Sequence, residues 1–161
     1  MSRFPRQLKT KVLLGGSALL CLLLCFFGVG AIFCAATLHV RHRTGAKPDG
    51  SVLAQIVASD NTTLKAWWFP AADSNHGCVL VLHGISDSRA SSSGFAPLFL
   101  QSGYSVLTPD SRAHGESGGE FVTYGLLEKY DVVACAHWMK AMGCLRVYGL
   151  ERLQQYLRRS S

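Results

Sequence analysis

The stretch Cys78-Val-Leu-Val-Leu-His83-Gly84 is apolar without a break up to His83, and a turn-forming glycine follows. A strand with one wet face alternates apolar and polar residues, whereas a continuous apolar run marks a strand covered on both faces. Upstream, Val52–Ala58 and Thr63–Phe69 are β-rich and separated by Ser59-Asp-Asn-Thr, which reads as a hairpin. Downstream, Phe95–Gln101 has a helical look with Gly103 as its C-cap, and Ser105–Pro109 is a second short buried strand. Leu126, Leu127, Tyr130, Val133, Ala134, His137, Trp138 and Ala141 recur at three- and four-residue steps, so they predict the buried face of an amphipathic helix ending at Gly143. Cys144–Leu150 is a third apolar strand. The alternation predicts an α/β sheet: parallel strands near 78–83, 105–109 and 144–150 behind an antiparallel hairpin, with helices near 92–102 and 125–142.

The composition locates what lies outside that sheet. Only 16% of the 161 residues are charged, against the usual quarter or so. The deficit is local, because no Asp, Glu, Lys or Arg occurs from Val12 to Leu38. These 27 residues exceed the ~20 that a helix needs to cross a bilayer. Basic residues flank the run: Arg3, Arg6, Lys9 and Lys11 before it, and Arg41, Arg43 and Lys47 after it. That balance favours a cytoplasmic N-terminus and an extracytoplasmic domain. A cleavable signal peptide has a shorter apolar region, of roughly 7–15 residues, so a signal anchor is expected although Cys34-Ala35-Ala36 imitates a cleavage site. The expected organisation is a basic flank at 1–11, a transmembrane helix at 12–38, a linker at 39–50, a partial enzyme-like domain at 51–150 and a tail at 151–161.

Residues 1–50 carry a net charge of +6 and residues 51–161 a net charge of zero. The basic balance thus belongs to the membrane flanks, and a nucleic-acid partner is not expected. The lipid bilayer is the expected partner. Cys21, Cys25 and Cys34 lie in the apolar run, and Cys78, Cys135 and Cys144 in the domain. No Cys-x-x-Cys or Cys/His ligand spacing occurs, so no metal and no cofactor is expected, and the cysteines read as buried thiols.

Two motifs stand at the carboxyl ends of strands, where open α/β sheets place their ligands. The first is His83-Gly84-Ile85-Ser86-Asp87-Ser88, whose glycine allows a sharp turn that directs backbone N–H groups into a cleft. The second is Asp110-Ser111-Arg112-Ala113-His114-Gly115-Glu116-Ser117. Asp110 and Arg112 are expected to pair across its turn and His114 to pack the loop, with His114 as a base the weaker reading. After these come Thr123-Tyr124-Gly125, Glu128-Lys-Tyr-Asp131 and the strand Arg146-Val-Tyr-Gly-Leu.

In this order the motifs resemble the α/β-hydrolase superfamily, in particular its serine-aminopeptidase-like and dipeptidyl-peptidase-like branch of esterases and peptidases. The resemblance covers residues 50–150. It implies serine hydrolysis of ester or amide bonds in a small ester or peptide substrate. It also implies an oxyanion-hole role for the Ile85 N–H within the turn of His83 and Gly84, and a structural role for Asp110, Arg112, His114, Gly115 and Ser117. Ala113 stands where that family's loop has glycine.

The pattern then departs. The strand ending Val-Tyr-Gly-Leu should enter Gly-x-Ser-x-Gly, the elbow that exposes a nucleophilic serine. Here Glu151-Arg-Leu-Gln-Gln follows, and Leu153 falls at the nucleophile position. Neither acid nor base of a triad is found, so no catalytic residue is assigned. The expectation is a truncated or frameshifted hydrolase, inactive alone, whose tail carries Leu150, Leu153, Tyr156 and Leu157 at helical spacing. The alternative is a non-catalytic membrane-anchored binding protein or a gene remnant.

Overall fold

A computed structural model describes residues 6–39, 43–72 and 76–149. The chain divides at Leu38 into two units. The first is a helix, α1 (Arg6–Leu38), whose Leu14–Leu38 portion is long and apolar enough to cross a membrane. Cys21, Cys25 and Cys34 lie on the surface of α1.

The second unit contains a five-stranded mixed sheet. Its strands are β1 (Val52–Val57), β2 (Thr63–Phe69), β3 (Cys78–Leu80), β4 (Ser105–Pro109) and β5 (Val147–Gly149), in the spatial order β1-β2-β4-β3-β5. β1 and β2 form the expected antiparallel hairpin, and β2 also runs antiparallel to β4. β3 lies parallel to both β4 and β5. The strand side chains sort by parity onto two faces. Leu64, Ala66, Trp68, Cys78, Leu80 and Leu107 meet Cys135 and Met139 of α4 (Glu128–Ala141). Trp67, Phe69, Val79, Val81 and Val106 meet Ala96 and Phe99 of α3 (Ala96–Gln101) on the other face. Two covered faces are the reason these strands read as continuous apolar runs.

Several boundaries and contacts differ from the sequence expectation. The helix expected near 92–102 is two short ones, α2 (Arg89–Ser93) and α3, because Pro97 has no N–H to give to the carbonyl of Ser93. The strand expected at 78–83 pairs only as far as Val81, whose N–H donates to the Leu107 carbonyl, and the chain then turns at His83. The strand expected at 144–150 begins pairing only at Arg146, whose carbonyl accepts the Cys78 N–H. Cys78 and Cys144 are not thiols but a disulfide, with Cα atoms 5.8 Å apart and 66 residues of separation. Cys135 is the buried thiol of the three, and burial pushes it up to about 12.

α4 is also rotated from its expected face. Asp131, Cys135 and Met139 are buried, with Val132 and Trp138 beside them, while Tyr130, Val133 and His137 are exposed. The cause is Asp131, a carboxylate drawn inward by an arginine that apolar periodicity cannot register. Val57, Tyr130, Val133, His137 and Trp138 instead line an open groove of about 440 Å³ between β1 and α4. Leu150, Leu153 and the tail 151–161 with its expected helix lie outside the described residues.

Candidate functional site

The loops leaving β3 and β4 meet above the carboxyl ends of those strands. His83, Gly84 and Ile85 from the first loop, Ser111 and His114 from the second, and Val122, Tyr124, Gly125 and Glu128 line one cavity of about 280 Å³. The sequence reading anticipated this convergence, since both motifs follow parallel strands. Ile85 is exposed at the cavity, and among the described residues no hydrogen bond engages its N–H. The next residue, Ser86, has φ +63. That is the left-handed region a side chain rarely occupies.

The second loop is built around a buried carboxylate. Asp110 accepts the Arg89 N–H at 2.6 Å and the Glu116 N–H at 3.0 Å, and Arg89 Nη1 lies 3.0 Å away as an ion pair. Burial pushes the Asp110 carboxyl up, against the opposing pull of the Arg89 backbone and guanidinium. The other guanidinium nitrogen of Arg89 pairs with Glu116, and the guanidinium stacks 4.9 Å above the Trp67 ring. Gly115 passes so close that a Cβ there would stand 2.1 Å from Asp110 Oδ2. Ser117 Oγ donates to the Asp110 carbonyl at 2.7 Å and accepts the Lys65 N–H at 2.9 Å, so it fastens the loop to β2.

The expected pairing of Asp110 with Arg112 does not occur. Arg112 turns away and grips Asp131 of α4 with two bonds, at 2.8 and 2.7 Å, and reaches Asp60 in the hairpin turn at 2.9 Å. The bidentate carboxylate raises the Arg112 guanidinium, and Arg112 in turn lowers Asp60 to about 2. A planar fork needs two oxygens side by side. Asp131 presents them, whereas Asp110 is already committed to backbone N–H groups. Ala113 takes φ +58 while buried, which gives a physical reason for glycine in the related loop. The sequence pattern gives Asp131 no role and does not single out Arg89. The signal for Asp131 was a carboxylate set against the apolar run Val132-Val-Ala-Cys; Arg89, among serines, carried none.

His83 and His114 are brought together, with ring centroids 4.9 Å apart. Neither is placed as a general base, because all four ring nitrogens face backbone groups. Glu128 is committed too: it accepts the N–H groups of Thr123 and Gly125 and the Thr123 hydroxyl. Burial would raise its carboxyl, but those bonds outweigh it and leave it lowered. Among the described residues no group of three or more His, Cys, Asp or Glu could hold a metal ion.

A site at the carboxyl ends of parallel strands, with a hairpin antiparallel to them, matches solved enzymes. The chain superimposes on the Pyrococcus furiosus esterase Pf2001 with a TM-score of 0.62 and 29% identity over 69% of this chain and 47% of the esterase. The chain has the α/β-hydrolase fold. The α/β hydrolase GrgF from Penicillium sp. sh18 shares the same fold at 21% identity, with a TM-score of 0.52 over 62% of this chain and 37% of that one. In sequence, 54 residues are 39% identical to the uncharacterized protein YqkD of Bacillus subtilis (strain 168), 34% of this chain and 18% of YqkD. No family model matches the chain. The chain therefore spans less than half of the esterase and under a fifth of YqkD.

Proposed function

We propose that the chain is a membrane-anchored relative of the serine-aminopeptidase-like α/β hydrolases that carries the oxyanion side of an acyl-transfer site. In such a site the developing oxyanion is met by preorganised backbone N–H groups. The observation that carries the reading is the Ile85 N–H, unengaged among the described residues at the cavity that follows β3. The esterase Pf2001, at 29% identity, supports ester hydrolysis as the parent chemistry. The helix Leu14–Leu38 supports the anchor. The Cys78–Cys144 disulfide supports an oxidising compartment for the domain, which agrees with the flanking charges.

Acyl transfer also needs a nucleophile, a base to take its proton and a group that orients the base. Leu153, at the ungapped nucleophile position, has no oxygen to attack with. Ser117 is fastened to Asp110 and Lys65, and Ser88 is buried in a loop. The 161-residue polypeptide is therefore expected not to turn over esters by itself. This favours, as a second reading, a binding protein built on the hydrolase fold. The test is purified full chain in detergent, assayed with a short-chain nitrophenyl ester and a fluorophosphonate probe. No labelling and a rate equal to buffer are expected. Stoichiometric labelling of one serine with turnover overturns the inactive reading. The nucleotide sequence beyond codon 150 separates the two readings. A Gly-x-Ser-x-Gly in any frame, followed by Asp and His codons, supports a hydrolase parent, and its absence supports the binding protein.

A further inference from the structure

The two loops at the cavity are joined by their histidines, and the joining is crosswise. His83 belongs to the first loop, and its Nε2 accepts the Ser111 N–H of the second at 3.0 Å. His114 belongs to the second loop, and its Nε2 accepts the Ser86 N–H of the first at 3.2 Å. Each ring turns its Nδ1 to a carbonyl of its own loop: His83 to Gly84 at 2.7 Å and His114 to Arg112 at 2.8 Å. A backbone N–H only donates and a carbonyl only accepts. Each Nε2 must therefore hold a lone pair and each Nδ1 a hydrogen. All four bonds coexist only when both imidazoles are neutral and in the Nδ1–H tautomer. One of the four holds Ser86, whose φ of +63 needs such a restraint.

We propose that His83 and His114 are reciprocal positioning residues: neutral, they hold the His83–Ser88 turn that presents the Ile85 N–H, and protonation of either ring releases it. The functional consequence rests on the oxyanion reading above; the hydrogen bonds themselves do not. A proton on Nε2 would set N–H against N–H across the loops and eject the Ser86 or Ser111 amide. Burial lowers the His83 imidazole, the Gly84 carbonyl opposes that, the His114 ring adds to the lowering, and the carboxylates of Asp110 and Asp87 resist it. Arg89 offsets Asp110, and Arg43 acts on Asp87. Across the cavity stand Tyr124 and Glu128, the latter committed to Thr123 and Gly125. For a base lowered in the folded state, the stabilisation is complete above the ordinary imidazole value of about 6.5 and is lost as pH falls below it.

The experiment uses the full chain in detergent micelles, with amide exchange followed at Ser86 and Ser111 and nitrogen-labelled histidine to read tautomers. At about pH 7.5 His83 and His114 should each show a hydrogen on Nδ1 and a pyridine-type Nε2. On acidification below about pH 6.5, exchange at both amides, corrected for its intrinsic pH dependence, should rise about tenfold or more once a proton enters either ring. His114→Phe should expose the Ser86 amide at every pH, and His83→Phe the Ser111 amide. His114→Gln keeps an acceptor that does not titrate, so Ser86 should stay protected at both pH values. This variant and the wild-type pH series decide the matter if the phenylalanine variants do not fold. Protection of both amides that ignores pH, or an Nε2–H tautomer at neutral pH, overturns the proposal. Failure of the oxyanion reading would leave all these amide results unchanged and would show only as a downstream sequence without serine, acid and base codons.

Discussion

Asp110 shows how one residue shapes a loop from the inside. Its carboxylate is buried, yet both oxygens are supplied with N–H groups and a guanidinium, so the second loop winds around it. That winding explains Gly115: φ is +51 and the space where a Cβ would sit is occupied by the carboxylate. Gly115→Ala is therefore expected to lower stability by at least about 2 kcal/mol, the left-handed backbone contributing roughly 1–2 kcal/mol and the displaced carboxylate the rest. Denaturant unfolding of the full chain in detergent, Gly115→Ala against wild type, measures it; an unchanged midpoint would contradict this account. The spacing Asp-x-Arg-x-His-Gly was legible from the sequence, and so was the loop. Its partners were not. Arg89 and Asp131 lie 21 and 19 residues from the groups they bind, and chain proximity says nothing about such pairs.

At the scale of elements, α4 is the sharpest case. Its existence and its stop at Gly143 follow from periodicity and a glycine with φ +95. Its orientation follows from the Arg112–Asp131 fork, which carries Cys135 and Met139 inward and leaves Tyr130 and Val133 out. Met139→Ala should cost about 2–5 kcal/mol, as a fully buried side chain leaves a cavity. Val133→Ser, on the face that hydrophobicity alone would bury, should change stability by less than about 0.5 kcal/mol. Thermal or denaturant unfolding of the two variants compares them directly, and a reversed order would mean that the helix sits the other way round.

The whole molecule is a helix of bilayer-spanning length and an α/β domain, and each carries its own prediction. Alkaline carbonate extraction of membranes containing the expressed chain should leave it in the pellet. Recovery in the soluble fraction at a mass lacking residues 1–36 would show that the apolar run is removed. For the domain, the Cys78–Cys144 bond closes a loop across 66 residues. Its reduction, or Cys78→Ser, should destabilise by about 2–5 kcal/mol, read as a lower unfolding midpoint in the presence of a reductant. Equal midpoints with and without reductant would contradict this. The same bond joins β3 to the segment that enters β5, an outer strand among the described residues, and so ties that strand to the sheet.

The sequence by itself determined the strands, the parallel order of three of them, the apolar helix and the two loops beside the cavity. Each of these depends on local periodicity, or on a turn residue at a fixed distance from a strand, and such signals are written within a few neighbouring residues. Only the tertiary structure decided that Cys78 and Cys144 are bonded, that Arg112 serves Asp131 rather than Asp110, which face of α4 is buried, and that His83 and His114 exchange backbone bonds across two loops. Those four depend on groups 19 to 66 residues apart meeting at hydrogen-bond or covalent range. Such meetings are set by how the sheet stacks its strands, and stacking leaves no trace in the spacing of residues along the chain.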